Sequence, residues 1–206
     1  MAYQPSPSRL EAFSDGVIAV IITIMVLDFK VPKEPGMAGL LTVLPTLLVY
    51  LLSFCFVVIY WVNHHHLVDR LKRVDHMIMW SNLGLLFWLS LTPFVTSYMI
   101  DQHLNSFSVA VYLVLLLITG GAFSGLQWAI RRHMERSGQA CDEPEAALHF
   151  AEERKGYISL GLYFVGTLLA FVRPSFGLVC AAVVAVMWIT PTIGVEHHFS
   201  DRSHEP

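Results

Sequence analysis

Charged and hydroxyl side chains stand at the beginning of the first long apolar run of the sequence. Arg9, Ser14 and Asp15 come immediately before the run from Val17 to Leu27, which is apolar except for one threonine. A polar residue in a membrane span costs roughly 2.5–3.5 kcal/mol at the helix centre, so it usually has a partner or a function. Arg9 and Asp15 lie about 240° apart around a helix and cannot easily pair with each other. Each therefore requires a partner on a neighbouring helix.

Candidate partners stand at the end of the second apolar run and near the start of the third. Three consecutive histidines end the second run, and because they point in different directions around a helix, a metal site is not expected. The sequence leaves open which histidine is the partner. We predict a buried polar network that joins three helix ends; its candidate members are Arg9, Phe13, Ser14, Asp15, His64, His65, His66, Trp80 and Asn82.

A stripe of side chains follows the polar start of the first helix. With Gly16 as the origin, Val20, Thr23 and Leu27 fall within about 40° of one line along the helix, and Ile24 lies at its edge near 80°. On a single helix such a stripe could simply face a neighbour. If copies of the helix surround an axis, the same stripe lines a narrow hydrophobic pore. A ring of threonine hydroxyls there could replace part of an ion's lost hydration shell.

The composition requires that these residues be carried on membrane helices. The chain is 55% hydrophobic and 14% charged, with a mean hydropathy of +0.57, which is too apolar for a soluble domain. Its apolar runs approach or pass the roughly 18–20 residues that cross a bilayer as a helix. We predict an all-α integral membrane protein that forms a single unit over residues 1–206; its six spans are Glu11 to Phe29, Leu40 to Val62, Met77 to Met99, Phe107 to Ile130, Tyr157 to Val172 and Ser175 to Ile193.

The basic residues predict how the spans are oriented. With the N-terminus inside, 10 of the 13 Lys and Arg residues fall on the cytoplasmic side, as the positive-inside rule requires. The sequence therefore predicts a multi-pass protein of the cell membrane with both termini in the cytoplasm and a cytoplasmic tail at 196–206. It also predicts a cytoplasmic loop at 131–155, in which the amphipathic segment Ala146 to Lys155 could form a short helix. The net charge of −3 gives no broad basic surface, so nucleic acid is not an expected partner.

A specific motif begins the first span. Arg9, Phe13, Ser14 and Asp15 match R-x-x-x-F-S-D, and the segment GVIAVIITIMVLDFKVP follows. This segment resembles the transmembrane-protein-175 family of potassium channels in its short prokaryotic form. The resemblance implies a homotetramer in which the first helix of each subunit lines a central pore. It also implies that Val20, Ile24 and Leu27 narrow the pore, that Thr23 contributes to cation preference, and that Arg9 and Asp15 fix the first helix against the second and third.

The expected function is passive conduction of potassium and other monovalent cations, with modest selectivity over sodium. The expected partners are further copies of the chain, membrane lipids and the permeant ion, and no cofactor is expected. The alternative is a proton-coupled or proton-permeable secondary transporter, although the first span lacks the midplane Gly or Pro of broken transporter helices. An enzyme is not expected, because Ser14 and Asp15 point about 100° apart on a helix and no G-x-S-x-G or H-E-x-x-H motif accompanies them.

Overall fold

The computed structural model describes residues 6–27, 29–137 and 143–190, and every regular element within these ranges is a helix. The all-α membrane fold predicted from the sequence is confirmed. The helices are α1 (Pro7–Leu27), α2 (Gly36–Val68), α3 (His76–Ser90), α4 (Thr92–Asp101), α5 (Ser106–Arg136), α6 (Glu143–Ala170) and α7 (Pro174–Ile189).

Within the described ranges, four apolar helical stretches are long enough to cross a membrane. They are α1, α2, the pair α3 and α4 taken together, and α5. The helix α7 is also apolar but has only 16 residues. The seven helices correspond to the six predicted spans because α3 and α4 together occupy the third.

The third predicted span corresponds to one apolar stretch, His76–Asp101, but the helix within it is divided in two. The helix breaks at Leu91, and Pro93 stands in the first turn of α4. Proline has no backbone N–H, so it cannot bond back to the carbonyl four residues earlier, and its ring crowds that turn. Pro93 indicated this break in the sequence, but the continuous apolar run around it favoured a single helix.

Helices also extend into the polar stretch that was predicted as a loop at 131–155. The helix α5 continues to Arg136 and α6 already begins at Glu143. Arg131 of α5 forms an ion pair with Glu153 of α6, so these helix ends lie side by side. The predicted tail at 196–206 lies outside the described residues, as do the last residues of the sixth predicted span.

The first helix packs against its own chain along one side only. It contacts α2, α3 and α4, whereas the other helices are joined mainly through α5, α6 and α7. Close approach of α6 and α7 depends on Gly166 and Gly177, because a Cβ at Gly166 would lie 2.9 Å from the Cβ of Cys180. The side of α1 that is buried consists of Leu10, Ser14, Ile18, Ile21 and Met25.

Candidate ion pathway and the polar network behind it

The predicted stripe of α1 lies on the side of the helix that its own chain leaves uncovered. Ile24 is 46% exposed and Leu27 is 79% exposed, and Val20 and Thr23 are exposed as well. The buried residues of α1 are centred about 130° from the middle of this stripe around the same helix. A single chain therefore presents Val20, Thr23, Ile24 and Leu27 to whatever surrounds it, either lipid or further copies of the chain.

Part of this uncovered side forms the wall of a groove. The groove encloses about 790 Å³ between α1 and the region where α3 gives way to α4. From α1 it is lined by Phe13, Gly16, Val20 and Ile24, among others, and from the other wall by Ser90, Pro93, Phe94 and Ser97. The groove is therefore largely apolar, with two serines on the wall opposite α1.

The hydroxyl of Thr23 is bonded to its own helix. It donates to the carbonyl oxygen of Val20 at 2.9 Å, a common arrangement for threonine in helices. Because its hydrogen is used in this way, the oxygen keeps lone pairs for another partner. The exposed Thr23 oxygen can accordingly act as an acceptor for a hydrogen bond or as a ligand for a cation.

A chain of hydrogen bonds joins α1, α2 and α3 on the buried side of α1. His64 Nε2 lies 2.7 Å from Asn82 Oδ1, Asn82 Nδ2 donates to Ser14 Oγ at 3.0 Å, and Ser14 Oγ donates to the carbonyl of Leu10 at 2.8 Å. Since Asn82 presents its oxygen to the histidine, the proton must be on His64 Nε2. All three side chains are buried, with Ser14 and Asn82 at 0% and His64 at 1% exposure.

The other ring nitrogen of this histidine has no partner. Among the described residues, His64 Nδ1 is the one enclosed side-chain nitrogen or oxygen without a hydrogen bond. With the proton on Nε2, Nδ1 is an acceptor in neutral histidine. A second proton on Nδ1 would find no acceptor, so the site favours the neutral ring with a fixed tautomer.

Asp15 is bonded to a residue that the sequence analysis did not include in the network. The indole Nε1 of Trp61 donates to Asp15 Oδ1 at 2.8 Å. The available signal was chemical: an indole N–H in an apolar helix requires an acceptor. Trp61 precedes His64 by about one helical turn, so the same end of α2 reaches α1 directly through Trp61 and indirectly through His64 and Asn82.

Of the remaining predicted network residues, some contact a neighbouring side chain and others are exposed at the surface. His65 Nδ1 lies 2.7 Å from Glu11 Oε1, which adds a second carboxylate of α1 to the set. Phe13 is largely exposed and lines the groove, and Trp80 is exposed and donates to His76 within its own helix. The ring of His66 lies 6.0 Å from that of His65, and Arg9 is exposed near the start of α1.

The end of α3 nearest this network is held by a capping carboxylate. Asp75 Oδ1 accepts from the backbone N–H of Ile78 at 2.8 Å, and its Oδ2 lies 3.0 Å from His133 Nδ1 of α5. Burial alone would raise the pKa of the Asp75 carboxyl, but the hydrogen bond from Ile78 and the interaction with His133 outweigh it and lower that pKa. The part of the chain that the structure describes contains no cluster of three His, Cys, Asp or Glu side chains that could hold a metal ion.

Comparison with known proteins identifies the family. The family model described as "Endosomal/lysosomal potassium channel TMEM175" matches residues 9–93, a segment that contains the entire Ser14–Asn82–His64 chain. A potassium channel of Chryseobacterium sp. (strain P1-3) is 40% identical over 94% of this chain and 98% of its own length. The chain belongs to the TMEM175 family.

Two further TMEM175 comparisons agree. A potassium channel of Streptomyces collinus is 35% identical over 78% of this chain and 84% of its own length. The crystal structure of a lysosomal potassium-selective channel TMEM175 homologue from Chamaesiphon minutus superposes with a TM-score of 0.73 at 27% identity, covering 89% of this chain and 96% of that one. As a TMEM175 protein the chain is a multi-pass membrane protein of an ion-channel family and not an enzyme, as the sequence had predicted.

Proposed function

We propose that the chain is one subunit of a homotetrameric, potassium-permeable channel whose central pore is lined by the uncovered side of α1. The observation that carries the proposal is the division of α1 into two sides. One side is packed and hydrogen-bonded to α2 and α3, and the opposite side, which includes Thr23, Ile24 and Leu27, is left exposed by the residues that the structure describes. Four copies around an axis would give each uncovered side a defined place.

In this arrangement the apolar rings control conduction. Val20, Ile24 and Leu27 from each copy narrow a water-filled path, and such constrictions gate by dewetting. Thr23 adds the polar ring between them, and its oxygen is available because its hydrogen is bonded to Val20. Few fixed dipoles face the ion, so selectivity for potassium over sodium is expected to be modest.

The polar network fixes which side of α1 faces the axis. Ser14 is tied to Asn82, Asp15 to Trp61 and Glu11 to His65. These contacts come from two different helices, so they prevent α1 from rotating about its own axis. We assign this positioning role to the predicted residues that are bonded within the network, which are Ser14, Asp15, His64, His65 and Asn82. Glu11 and Trp61 are added to them. The other predicted members of the network remain candidates: Arg9, Phe13, His66 and Trp80.

The proposed location is the cell membrane, with both termini in the cytoplasm. The support is the distribution of basic residues along the sequence, because cytoplasmic loops retain an excess of Lys and Arg. Arg131 and Arg132 lie in the last turns of α5, and Lys155 lies near the corresponding level of α6. Membrane lipids and further copies of the chain are the proposed partners.

Single-channel recording of the purified protein under bi-ionic potassium and sodium tests this function. We expect discrete current steps with a reversal potential that favours potassium, and a larger conductance in Ile24→Ala because a constricting ring is widened. The matched control is Ile158→Ala, since Ile158 of α6 is 47% exposed and Ile24 is 46% exposed. Transport without current steps but with steep proton dependence would instead identify a proton-coupled carrier and contradict the channel.

A further inference from the structure

A small crevice with a mostly apolar lining and several polar side chains lies inside each chain, away from α1. Its main cavity measures about 30 Å³ and is enclosed by α2, α5, α6 and α7. A second cavity of about 10 Å³ shares Asn63 and Gln127 with the first and is also lined by Arg70, just after the end of α2, and by Glu152 of α6. No residue of α1 lines either cavity, so the crevice is separate from the proposed pore.

Polar residues reach this crevice at helical spacing from three helices and make up half of the residues that line it. They are Tyr60 and Asn63 on α2, Ser124 and Gln127 on α5, and Ser159 and Tyr163 on α6. Within each helix the two positions are three or four apart, so they share one side. Buried polar residues in membrane helices face a bundle interior or a water-filled cavity, and here three such sides converge.

Two tyrosine hydroxyls in the crevice have no hydrogen-bond partner among the described residues. Tyr163 is 2% exposed and Tyr60 is 9% exposed, and neither takes part in a hydrogen bond within those residues. A Cβ at Gly120 would lie 3.5 Å from the Tyr60 hydroxyl, which places that oxygen beside the glycine of α5. Because His64 Nδ1 is the one fully enclosed unpaired polar atom in the described ranges, both hydroxyls must face open volume.

Acceptors for a bridging molecule are present on the neighbouring helices. Asn63 uses its Nδ2 on the carbonyl of Ile59 at 2.7 Å, which leaves its Oδ1 available. Ser124 donates to the carbonyl of Gly120 at 3.0 Å, which leaves lone pairs on its oxygen. The crevice therefore combines two hydroxyl donors with at least two acceptors. A neutral molecule that both accepts and donates hydrogen bonds can bridge them.

We propose that the crevice is a water-binding site that is continuous with the aqueous phase past Arg70 and Glu152. A water needs roughly 10–15 Å³ of this kind of volume and two to four polar partners, so the main cavity holds about two waters. The waters accept from Tyr60 and Tyr163 and donate to Asn63 and Ser124. Each subunit then contains a hydrated inlet that is independent of the ion pathway along α1.

Tyrosine-to-phenylalanine variants of the purified protein test the hydration of the crevice through the midpoint of thermal unfolding. Tyr163→Phe removes a hydroxyl that is hydrogen-bonded only if water is present, so the midpoint should fall by about 2–4 °C, the shift that one ordinary hydrogen bond gives in a chain of this size. Tyr112→Phe calibrates this loss, because the Tyr112 hydroxyl accepts from Ser53 Oγ at 3.1 Å. Tyr157→Phe is the neutral control, since Tyr157 is 70% exposed.

An unchanged or raised midpoint in Tyr163→Phe would overturn the proposal, because loss of an unbonded hydroxyl from a dry cavity costs nothing. A density map of the assembled protein that resolves ordered water gives the direct readout. Water peaks within hydrogen-bonding distance of the Tyr60 and Tyr163 hydroxyls are expected. An empty crevice, a lipid chain in it, or tyrosines rotated onto protein partners would each refute the proposal.

Discussion

The hydroxyl of Thr23 lies on the uncovered side of α1 and donates its hydrogen to the carbonyl of Val20. We predict that Thr23→Val lowers the potassium-to-sodium permeability ratio, because valine has the same shape but no oxygen to replace ion hydration. A loss of a few-fold at most is expected, since one hydroxyl ring contributes only part of the ion's coordination. The measurement is the reversal potential under bi-ionic conditions.

Thr42→Val is the matched control for this substitution. Thr42 of α2 donates to the carbonyl of Gly39 at 2.7 Å, so its hydroxyl has the same local bond as that of Thr23 but lies on another helix. The control should leave the reversal potential unaltered. Equal shifts in both variants, or none in Thr23→Val, would remove Thr23 from the selectivity-determining positions.

A second residue-scale prediction concerns Asp75, which caps α3 and pairs with His133. Because its pKa is lowered in the folded protein, its stabilisation is fully present above the ordinary value of 3.8 and is lost as the pH falls through the lowered pKa. Asp75→Asn keeps a capping side chain but removes the charge. We expect the variant to be less stable than the wild type by up to about 1 kcal/mol near neutral pH, with the difference vanishing in acid.

Unfolding in detergent measured from pH 7 to pH 3 follows this difference. Asp101→Asn is the control, because Asp101 forms an ion pair with Lys30 at 2.9 Å in an exposed position and should contribute little at any pH. If Asp75→Asn and the wild type keep the same gap in stability down to pH 3, the carboxylate is not the source of that stability.

Residue types and spacing predicted much of the network but not its pairs. A polar start of the first helix and polar ends of the next two could be recognised because such groups require partners in an apolar medium. The sequence could not choose among His64, His65 and His66, because the choice depends on the rotation of α2 against α1 and α3. Trp61 was missed for a similar reason, since only the geometry shows that its indole N–H reaches Asp15.

At the scale of elements, Asn82 of α3 joins three helices, because it bonds to Ser14 of α1 and to His64 of α2. Asn82→Ala removes the donor to Ser14 and the acceptor for His64, and it leaves both ring nitrogens of His64 without a partner. Each unsatisfied buried group costs about 1–3 kcal/mol. We therefore predict that thermal unfolding shifts down by about 5 °C or more.

A double-mutant cycle separates this contact from general destabilisation. Ser14→Ala and Asn82→Ala should together cost less than the sum of the two, with a coupling of about 0.5–3 kcal/mol. Thr119→Val, combined with Asn82→Ala in the same way, is the control for this coupling. The buried Thr119 hydroxyl bonds to the carbonyl of Leu115 in its own helix, so the two substitutions should be additive. Strict additivity of Ser14→Ala and Asn82→Ala would mean that Ser14 and Asn82 do not hold α1 to α3.

Element existence was predictable from hydropathy, but element boundaries were not. The length of an apolar run identifies a span but does not show whether the helix within it is broken. The continuous apolar run between Met77 and Met99 therefore favoured one helix in spite of Pro93. Polar composition likewise suggested a loop where α5 and α6 in fact continue, because an exposed helix needs no apolar side. Helix contacts depend on a few small residues as well, and Gly166 and Gly177 permit the close contact of α6 and α7 without any distinctive motif.

At the scale of the whole molecule, the proposed pore requires more than one chain, since the uncovered side of α1 cannot enclose a path by itself. Assembly was predicted from the resemblance of the R-x-x-x-F-S-D segment and not from composition, because an apolar side in a membrane protein faces lipid as readily as another subunit. Leu27 distinguishes the two arrangements. It is 79% exposed, so it lies in water if α1 lines a pore and in hydrocarbon if α1 faces lipid.

We therefore predict that Leu27→Cys makes the current sensitive to a charged, membrane-impermeant thiol reagent. In a background lacking Cys55, Cys141 and Cys180, a cationic methanethiosulfonate should reduce conductance several-fold, because only a hydrated thiol ionises and reacts and the attached charge repels cations. Leu168→Cys, on the 57% exposed Leu168 of α6, should react slowly and leave the current unchanged. If Leu168→Cys is blocked while Leu27→Cys is not, another helix borders the pore, and the assignment of α1 to the axis fails.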